Sequence, residues 1–366
     1  MPFIIITILL CVLLILGLYY LVTRIHRFSP FQRIAEKSRF LSWLAASIPL
    51  ILAIIAFAFY PYEILIPALH LMAFFGVGDL IGFLIRKRRE KSVRYDFIGG
   101  GVILFTTVYL AFGWFFAHHV FETAYVLETD KQLGADSVRV VMIADSHLGK
   151  IMSGTDFAEE LERIQQTDPD LLLIAGDFVD DDSDRESMET ACRALGTLKT
   201  TYGIYFTLGN HDKGYFNNRD FTEIDLRNAL TENGVIILED ETARINDSFY
   251  LIGRKDRSYS DRLSIQALTE PLDQSKYMLV MDHQPNDYKN ETEARVDLVL
   301  SGHTHGGHVF PAGLIGLLIG ANDKVYGYER REQTDFIVTS GISGWAIPFK
   351  TAAISEYVVI DITTGE

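Results

Sequence analysis

Four long apolar runs, crowded into the first third of the chain, restrict its fold more than any other feature. Residues 3–22 carry no charge, and three further runs follow at about 41–60, 62–85 and 97–117. Each approaches the roughly 20 residues that an α-helix needs to cross a bilayer. Buried helices of a soluble domain rarely combine that length with that density of Leu, Ile and Phe. The first run reads as a span rather than a secretory leader, because no basic segment precedes it and no small-residue cleavage site follows Tyr19-Tyr20. A transmembrane domain of four helices over residues 1–117 is therefore expected.

Charge sets the expected orientation. Loop 23–40 carries Arg24, Arg27, Arg33, Lys37 and Arg39, and loop 86–94 carries Arg86, Lys87, Arg88, Arg89, Lys91 and Arg94. The turn at Tyr60-Pro61-Tyr62-Glu63 has no basic residue, nor does the segment just after Trp114. Cytoplasmic loops collect Lys and Arg, so both basic loops are expected inside, with the N-terminus and everything after residue 117 extracytoplasmic. Pro49 and Pro67 are expected to kink their helices. His70 and Asp79 are the polar groups of note within the spans, and Asp79, near the cytoplasmic end, fits an interfacial role.

The remainder of the chain is different in kind. Residues 1–117 hold 11 Lys/Arg and 5 Asp/Glu, whereas the rest holds 22 and 43. So acidic a domain is a poor match for nucleic acid, whose phosphates are neutralised by Lys and Arg. Only Cys11 and Cys192 occur, too few for a disulfide framework or a cysteine metal site. Residues 118–137 read as a linker, and from 138 to 366 the hydrophobic pattern alternates between strand and helix. Val138–Ala144 is a buried strand ending in Asp145-Ser146-His147. Residues 155–167 form an amphipathic helix with Thr155 as its N-cap. Leu171–Ala175 ends in Gly176-Asp177-Phe178-Val179-Asp180, and helix 184–200 follows. Gly203–Thr207 leads to Gly209-Asn210-His211-Asp212, then to helix 221–233 and short strands near 235–238, 243–246 and 249–252. Tyr277–Met281 ends in Asp282-His283-Gln284-Pro285, and Val296–Ser301 ends in Gly302-His303-Thr304-His305-Gly306-Gly307.

Five strand-like runs thus finish in Asp, His or Asn, and five of the ten histidines lie in those endings. Alternating strands and helices imply a layered α/β domain whose strand ends share one edge, where such folds place their sites. A carboxylate and an imidazole two residues apart can ligate one ion. His303 and His305 would share a face in a strand, but in a glycine-flanked turn they could reach two neighbouring ions.

Asp-x-His, Gly-Asp-x-x-Asp, Gly-Asn-His-Asp, a lone His before Pro and Gly-His-x-His, in this order, resemble the calcineurin-like metallophosphoesterases over about 138–362. The Gly-His-Thr-His-Gly-Gly form, with Phe310-Pro311 and Thr339-Ser340-Gly341 after it, is most similar to the YkuE-type branch. The resemblance implies a two-sheet α/β sandwich with helices outside and two divalent metal ions. It implies that Asp145, His147 and His305 hold one ion and Asn210, His283 and His303 the other, with Asp177 between them. His211 would act as general acid or charge stabiliser, oriented by Asp180. The reaction implied is hydrolysis of a phosphate ester by a metal-activated water. N/O ligation without thiolate suits Mn, Fe or Zn.

Some positions depart from the family pattern. Asp181 stands where protein Ser/Thr phosphatases of this superfamily have arginine, which argues against that activity. His308 stands where Gln is common in this branch and reads as an outer-shell donor or an added ligand. Lys350 replaces a frequent Arg and so weakens the case for a bidentate phosphate contact. The expected partners are the lipid bilayer and a phosphorylated small molecule or lipid. A lipid or lipid-linked substrate is favoured by the apolar run Leu314–Gly320, which reads either as a buried strand or as a membrane-contacting patch. The competing readings are a membrane sensor or scaffold that binds a phosphorylated ligand without turnover, and a phosphodiesterase acting on a soluble substrate.

Overall fold

Every apolar run of the N-terminal third is helical in the computed structural model, which describes residues 2–89, 95–216 and 218–365. The helices are α1 (Pro2–His26), α2 (Ser29–Ala35), α3 (Arg39–Phe57), α4 (Pro61–Arg89) and α5 (Tyr95–His118). Three of them, α3, α4 and α5, are each long and apolar enough to cross a membrane; Val12–His26 of α1 qualifies only when paired with α2, bent 84° from it. Among the described residues, three to four helices long and apolar enough to cross a membrane therefore precede the strands of the second unit. Helix α2 occupies part of the expected loop 23–40. Pro30 lies in its first turn, where a missing N–H costs no helical hydrogen bond. Ser38 then ends the connection by accepting a bond from Leu41 N and capping α3.

Contacts cluster the chain into two units, Met1–Phe112 and Gly113–Glu366. Inside the first, Asp79 pairs with Arg24 at 2.7 Å and accepts from Tyr20 Oη at 2.8 Å, so the carboxylate within the helices is neutralised locally. His70 Nδ1 donates to the Ile66 carbonyl at 2.8 Å, and its ring lies against Phe74 and Tyr109. That is a packing role. Of the second basic loop, Lys91 and Arg94 lie outside the described residues.

The second unit begins with β1 (Val120–Thr129) and continues through β2 (Ser137–Ile143), α6 (Gly154–Gln165), β3 (Leu171–Ala175), α7 (Arg185–Leu195), β4 (Ile204–Thr207), α8 (Glu223–Glu232) and β5 (Val235–Ile237). Next come β6 (Glu241–Arg244), β7 (Phe249–Gly253), α9 (Ile265–Thr269), β8 (Tyr277–Met281), α10 (Tyr288–Glu293) and β9 (Leu298–Ser301). It ends with α11 (Ala312–Leu318), β10 (Gly327–Arg331), β11 (Thr334–Val338) and β12 (Ser355–Thr364). Two six-stranded mixed sheets result, in the orders β1-β12-β2-β3-β4-β5 and β10-β11-β9-β8-β7-β6.

The central strands β2, β3, β8 and β9 are buried on both faces, which is why they read as continuous apolar runs rather than alternating ones. One face of each sheet meets the other through Val140, Met142, Leu173, Leu279, Leu300 and Ile360. The outer faces are covered by helices. Phe157, Met188 and Leu226 of α6, α7 and α8 pack on Val141, Ile174 and Phe206, while Ile265 and Tyr288 of α9 and α10 cover Met278 and Val299. Helix starts are set by side-chain caps: Ser153 with Asp156 and Thr222 with Asp225 form capping boxes, and Asp184 caps α7. The cap of α6 is Ser153 rather than Thr155, two residues earlier than expected, because Asp156 at the third helical position completes the box.

One expectation is corrected, and one pair of alternatives is narrowed. Residues 118–137, expected to be a linker, contain β1, which pairs in parallel with β12 from Val120↔Ser355 to Thr129↔Thr364. Its alternating burial places every second side chain against the unit. The apolar run 314–320 is no buried strand: it lies largely in α11, a helix without a buried residue, and in the exposed Ile319 and Gly320 that follow. If β1 is integral to the sheet, Leu127→Ala should cost about 2–3 kcal/mol in thermal or denaturant unfolding of the detergent-purified chain. A linker side chain would change stability by no more than about 0.5 kcal/mol.

Candidate metal centre

Parallel strands deliver their C-terminal ends to one edge of each sheet, and the five motif-bearing loops start there, after β2, β3, β4, β8 and β9. The backbone in these loops is strained. Asp145, His147, Asp177, His303, His305 and His308 all have positive φ, between 41° and 71°. Such conformations cost L-residues energy and persist where surrounding contacts over-determine them. Two glycines are required by space. A Cβ at Gly302 would collide with the Asp145 carboxylate, and one at Gly209 with that of Asp177. Their absence lets His303 N donate to both Asp145 oxygens, at 3.0 and 2.9 Å, and His211 N donate to Asp177 Oδ1 at 2.8 Å.

The loops bring six of the expected ligands into two groups, each residue offering a ligand atom within 4.8 Å of the others. The first is Asp145, His147 and His305. Nε2 of His147 lies 3.2 Å from Nε2 of His305 and 3.9 Å from Asp145 Oδ1, and His305 Nε2 lies 3.6 Å from the same oxygen. The second is Asp177, His283 and His303, with His283 Nε2 3.1 Å from Asp177 Oδ2. That Asp177 oxygen is also 3.7 Å from His147 Nε2, so it stands between the groups. His303 and His305 sit in a turn and point to different groups, which resolves the two alternatives left by their spacing.

The donor set fits divalent cations. Ligand bonds of about 2.0–2.2 Å leave neighbouring donors roughly 3–3.5 Å apart, close to the separations seen. His283 Nδ1 donates to the Ala175 carbonyl at 2.7 Å, so Nε2 is the ring nitrogen turned to the Asp177 carboxylate. A proton on Nε2 satisfies this pair in the absence of metal, and a divalent cation bound by both atoms would take its place. Asn210 Oδ1 is buried without a hydrogen-bond partner among the described residues, while its Nδ2 donates to Tyr215 Oη at 3.0 Å. The amide oxygen is thereby free to act as a neutral ligand beside Asp177.

Comparison with known proteins agrees with this geometry. The family model for calcineurin-like phosphoesterases matches residues 138–307. A metallophosphoesterase of Aquifex aeolicus, itself uncharacterised, is 31% identical over 249 residues, covering 65% of this chain and 90% of that protein. The chain belongs to the calcineurin-like metallophosphoesterases. An uncharacterised metallophosphoesterase of Helicobacter pylori is 29% identical over 240 residues, and a Danio rerio transmembrane protein with a metallophosphoesterase domain is 28% identical over 236. The match covers 63% of this chain and 60% of the Helicobacter protein, and 60% of this chain and 52% of the Danio protein.

Around this metallophosphoesterase centre, one expected contact is absent. Asp180 was expected to orient His211; its Oδ2 instead lies 3.3 Å from His147 Nδ1, and His211 Nδ1 is buried without a hydrogen-bond partner. The reason is local. Asp180 N donates to Ser183 Oγ and Asp182 N to Asp180 Oδ1, a turn that swings the carboxylate toward the β2 loop. His211 is flanked instead by aromatic rings, with Tyr215 at 5.2 Å, Trp345 at 5.4 Å and His147 at 5.0 Å between centroids. His308 stands behind His305 and bonds the Ile347 carbonyl through Nε2 at 3.0 Å. Lys350 is fully buried, and its ammonium donates to the Ser340 and Gly341 carbonyls at 2.7 and 3.1 Å. It braces the loop against Asp145 rather than reaching toward substrate.

Electrostatics divide the imidazoles of the site: burial opposes the charged forms of His147 and His283, but the carboxylates around them, Asp180 for His147 and Asp177 for His283 foremost, outweigh it and raise both. Burial pushes the Asp145 carboxyl up to about 6. Burial acts the same way on Asp177, but the imidazoles of His283, His147 and His211 outweigh it and hold that carboxyl far below its usual range. Burial, with help from neighbouring imidazoles, lowers His303 to about 4 and His305 well below its ordinary value. These imidazoles keep their lone pairs for a cation.

Asp212, Tyr215 and Trp345 escaped the sequence reading as site residues. Asp212 could have been found, since it closes the Gly-Asn-His-Asp motif. Fully buried, it accepts from the backbone N–H groups of Asp177, Phe178, Val179 and Gly209 at 2.7–3.1 Å. One carboxylate thus ties the β3 loop to the β4 loop. Removing it strands four buried donors, so Asp212→Ala should destabilise the unit by about 3–5 kcal/mol. Asp212→Asn, which keeps an acceptor, should lose less. Unfolding of both variants in detergent checks the ranking.

Proposed function

We propose that this chain is a membrane-anchored, two-metal phosphoesterase. The observation that carries the reading is the pair of carboxylate–imidazole groups with Asp177 standing between them, 3.7 Å from His147 Nε2 and 3.1 Å from His283 Nε2. Residues 1–117 would be the membrane domain and 138–366 the catalytic domain, with β1 added to the latter. Asp145, His147 and His305 would hold one cation; Asn210, His283 and His303 would hold the second; Asp177 would bridge them. Two divalent cations so placed supply positive charge for attacking and leaving oxygens of an in-line displacement. Mn, Fe and Zn all suit these donors.

The remaining roles belong to side chains. Asp180 would fix the His147 ring through Nδ1. Burial lowers the affinity of His211 for a proton, so this imidazole would take one up as the anionic ester arrives and pass it to the leaving oxygen. Asp181 accepts from the N–H groups of Tyr215 and Phe216, holding an aromatic wall beside His211 where an arginine would have offered a charge. The substrate class we favour is a lipid or lipid-linked phosphate ester, supported by the exposed apolar helix α11 in the segment following the metal-loop histidines.

The full chain in detergent should hydrolyse bis-p-nitrophenyl phosphate with Mn²⁺ and stop with EDTA. Asp177→Asn should lower the content of both metals. His211→Ala should keep the metals and reduce turnover by about 10²–10⁴-fold, most for poor leaving groups, whose oxygens most need a proton. Metal analysis beside kinetics separates the two. Loss of both metals in His211→Ala would remove His211 from the acid role, and metal binding with no turnover in the parent chain would favour a ligand-binding scaffold.

We also propose that the catalytic domain is extracytoplasmic. The support is the sequence asymmetry of basic loops, with Arg27, Arg33 and Arg86 among their members. Alkaline phosphatase fused after Glu366 should be active and a fluorescent reporter that folds only in the cytoplasm should be dark. The reverse pattern would place the site inside.

A further inference from the structure

Exposed apolar side chains of the catalytic unit gather in the segment that follows the metal-binding loop. Phe310, Leu314, Ile315, Leu317, Leu318 and Ile319 are all exposed, Leu318 by 86% and Ile319 by 73%. No charged side chain occurs between His308 and Asp323. A monomer in water rarely displays so continuous an apolar surface without something to cover it. The platform is also held firmly. Gly307, in the turn that carries His305, packs so closely on Gly313 of α11 that a Cβ on either would clash with the other's backbone. Where α11 rests, the histidine loop must follow.

The occupant is identified by what lies beside it. The last turn of α5, from Gly113 to His118, belongs to this same unit. Its Gly113 carbonyl accepts from Lys350 N at 2.8 Å, and its Ala117 carbonyl from Ser355 Oγ at 3.1 Å. The next residue along, Thr351, donates from N to the His308 carbonyl at 2.9 Å and accepts at Oγ1 from Phe310 N at 3.0 Å. Two hydrogen-bonded steps therefore join the end of a bilayer-length helix to the start of the apolar platform. At 24 residues, α5 extends about 36 Å, enough to cross a hydrocarbon core of about 30 Å and finish at its polar boundary. Aromatic rings mark that boundary: Trp114 and Phe115 are exposed, Phe115 stacks on His119, and Phe121 meets Phe115 and His119 edge-on and Phe116 at a tilt. Such belts sit at headgroup level.

We infer that α11 with Phe310 and Ile319 is an interfacial membrane-docking surface, inserted into the bilayer leaflet in which α5 ends. This rests on the phosphoesterase reading above and specifies its substrate: a membrane amphiphile whose phosphoester reaches the metal centre while its apolar part stays along α11. Trp345, 36% exposed, adds an apolar ring beside His211 and His147 at the metal centre.

The test reads docking separately from catalysis. Leu318→Cys in a Cys11→Ser background is labelled with an environment-sensitive nitrobenzoxadiazole dye. The full chain is then reconstituted in nanodiscs of phosphatidylethanolamine and phosphatidylglycerol containing nitroxide-labelled lipid. The dye at 318 should shift to the blue and be quenched, whereas a dye at exposed Ile224→Cys on α8 should not. An unquenched dye at 318, or one shielded only by cross-linkable contact with a second copy, overturns the inference. Leu317→Ser with Leu318→Ser should then lower the ratio of lipid-phosphoester turnover (with nanodisc phosphatidic acid and phosphatidylglycerol as probes) to bis-p-nitrophenyl phosphate turnover by about tenfold or more. A quenched dye with an unaltered ratio would overturn the assigned substrate. Absence of any phosphoester hydrolysis would sink the enzymatic reading, while the quenching result would still stand on its own.

Discussion

A carboxylate with almost no solvent around it, Asp177, organises the catalytic unit. It stands between two sets of imidazoles, and its charge is maintained by them rather than by water. Burying such a group is costly unless charge and hydrogen bonds compensate. The compensation comes from several loops: His283 from β8, His147 from β2 and the His211 N–H from the β4 loop. Each of those loops is in turn fixed by backbone bonds to its neighbours, such as Gly302 N to the His283 carbonyl and Asp145 N to the Gly176 carbonyl. The strained backbone at six site positions is the counterpart of this arrangement. Donor atoms from distant loops meet only because local conformations give way.

Support for these loops extends outward through charge. Asp282, immediately before His283, is bonded by Arg254 at 2.8 Å and also by Arg262. Arg254 is buried and touches Asp287 and Glu291 as well, so two strands and the start of α10 are tied to one guanidinium. A buried ion network of this kind adds little net stability compared with apolar packing, yet removing one member is damaging. Its evident effect here is positional: it holds the end of β8, from which His283 extends. Asp212 does the same for the loops after β3 and β4, and Lys350 for the segment packed on Asp145.

The acidic character of the catalytic unit fits this scheme. A surface rich in Asp and Glu repels nucleic acid and other polyanions. Beside the metal centre, the exposed Tyr215 and Trp345 flank His211 with apolar rings.

Much of this was legible in the sequence, and the division has a physical basis. Membrane-length helices follow from local composition, because in lipid the backbone must satisfy its own hydrogen bonds. The parallel strands follow from uninterrupted apolar runs, the Asp, His and Asn residues at their ends are visible as endings, and the assignment of Asp145, His147, Asp177, Asn210, His283, His303 and His305 to two ion sites was implied by the resemblance of those endings to the family motifs. Local sequence carries these because they depend on neighbours within a few residues. Contacts across the fold decided the rest. Strand β1 reads as a linker because its order comes from β12, more than 200 residues away. Asp180 turns to His147 instead of His211 because its own turn, closed by Ser183, aims it there. Trp345 meets His211 across 134 residues of chain, which no motif spacing encodes. The run 314–320 shows the limit most plainly. Its apolar composition fits a buried strand or an exposed contact patch equally, and only the tertiary structure shows a helix set on Gly307 through Gly313 with its leucines exposed.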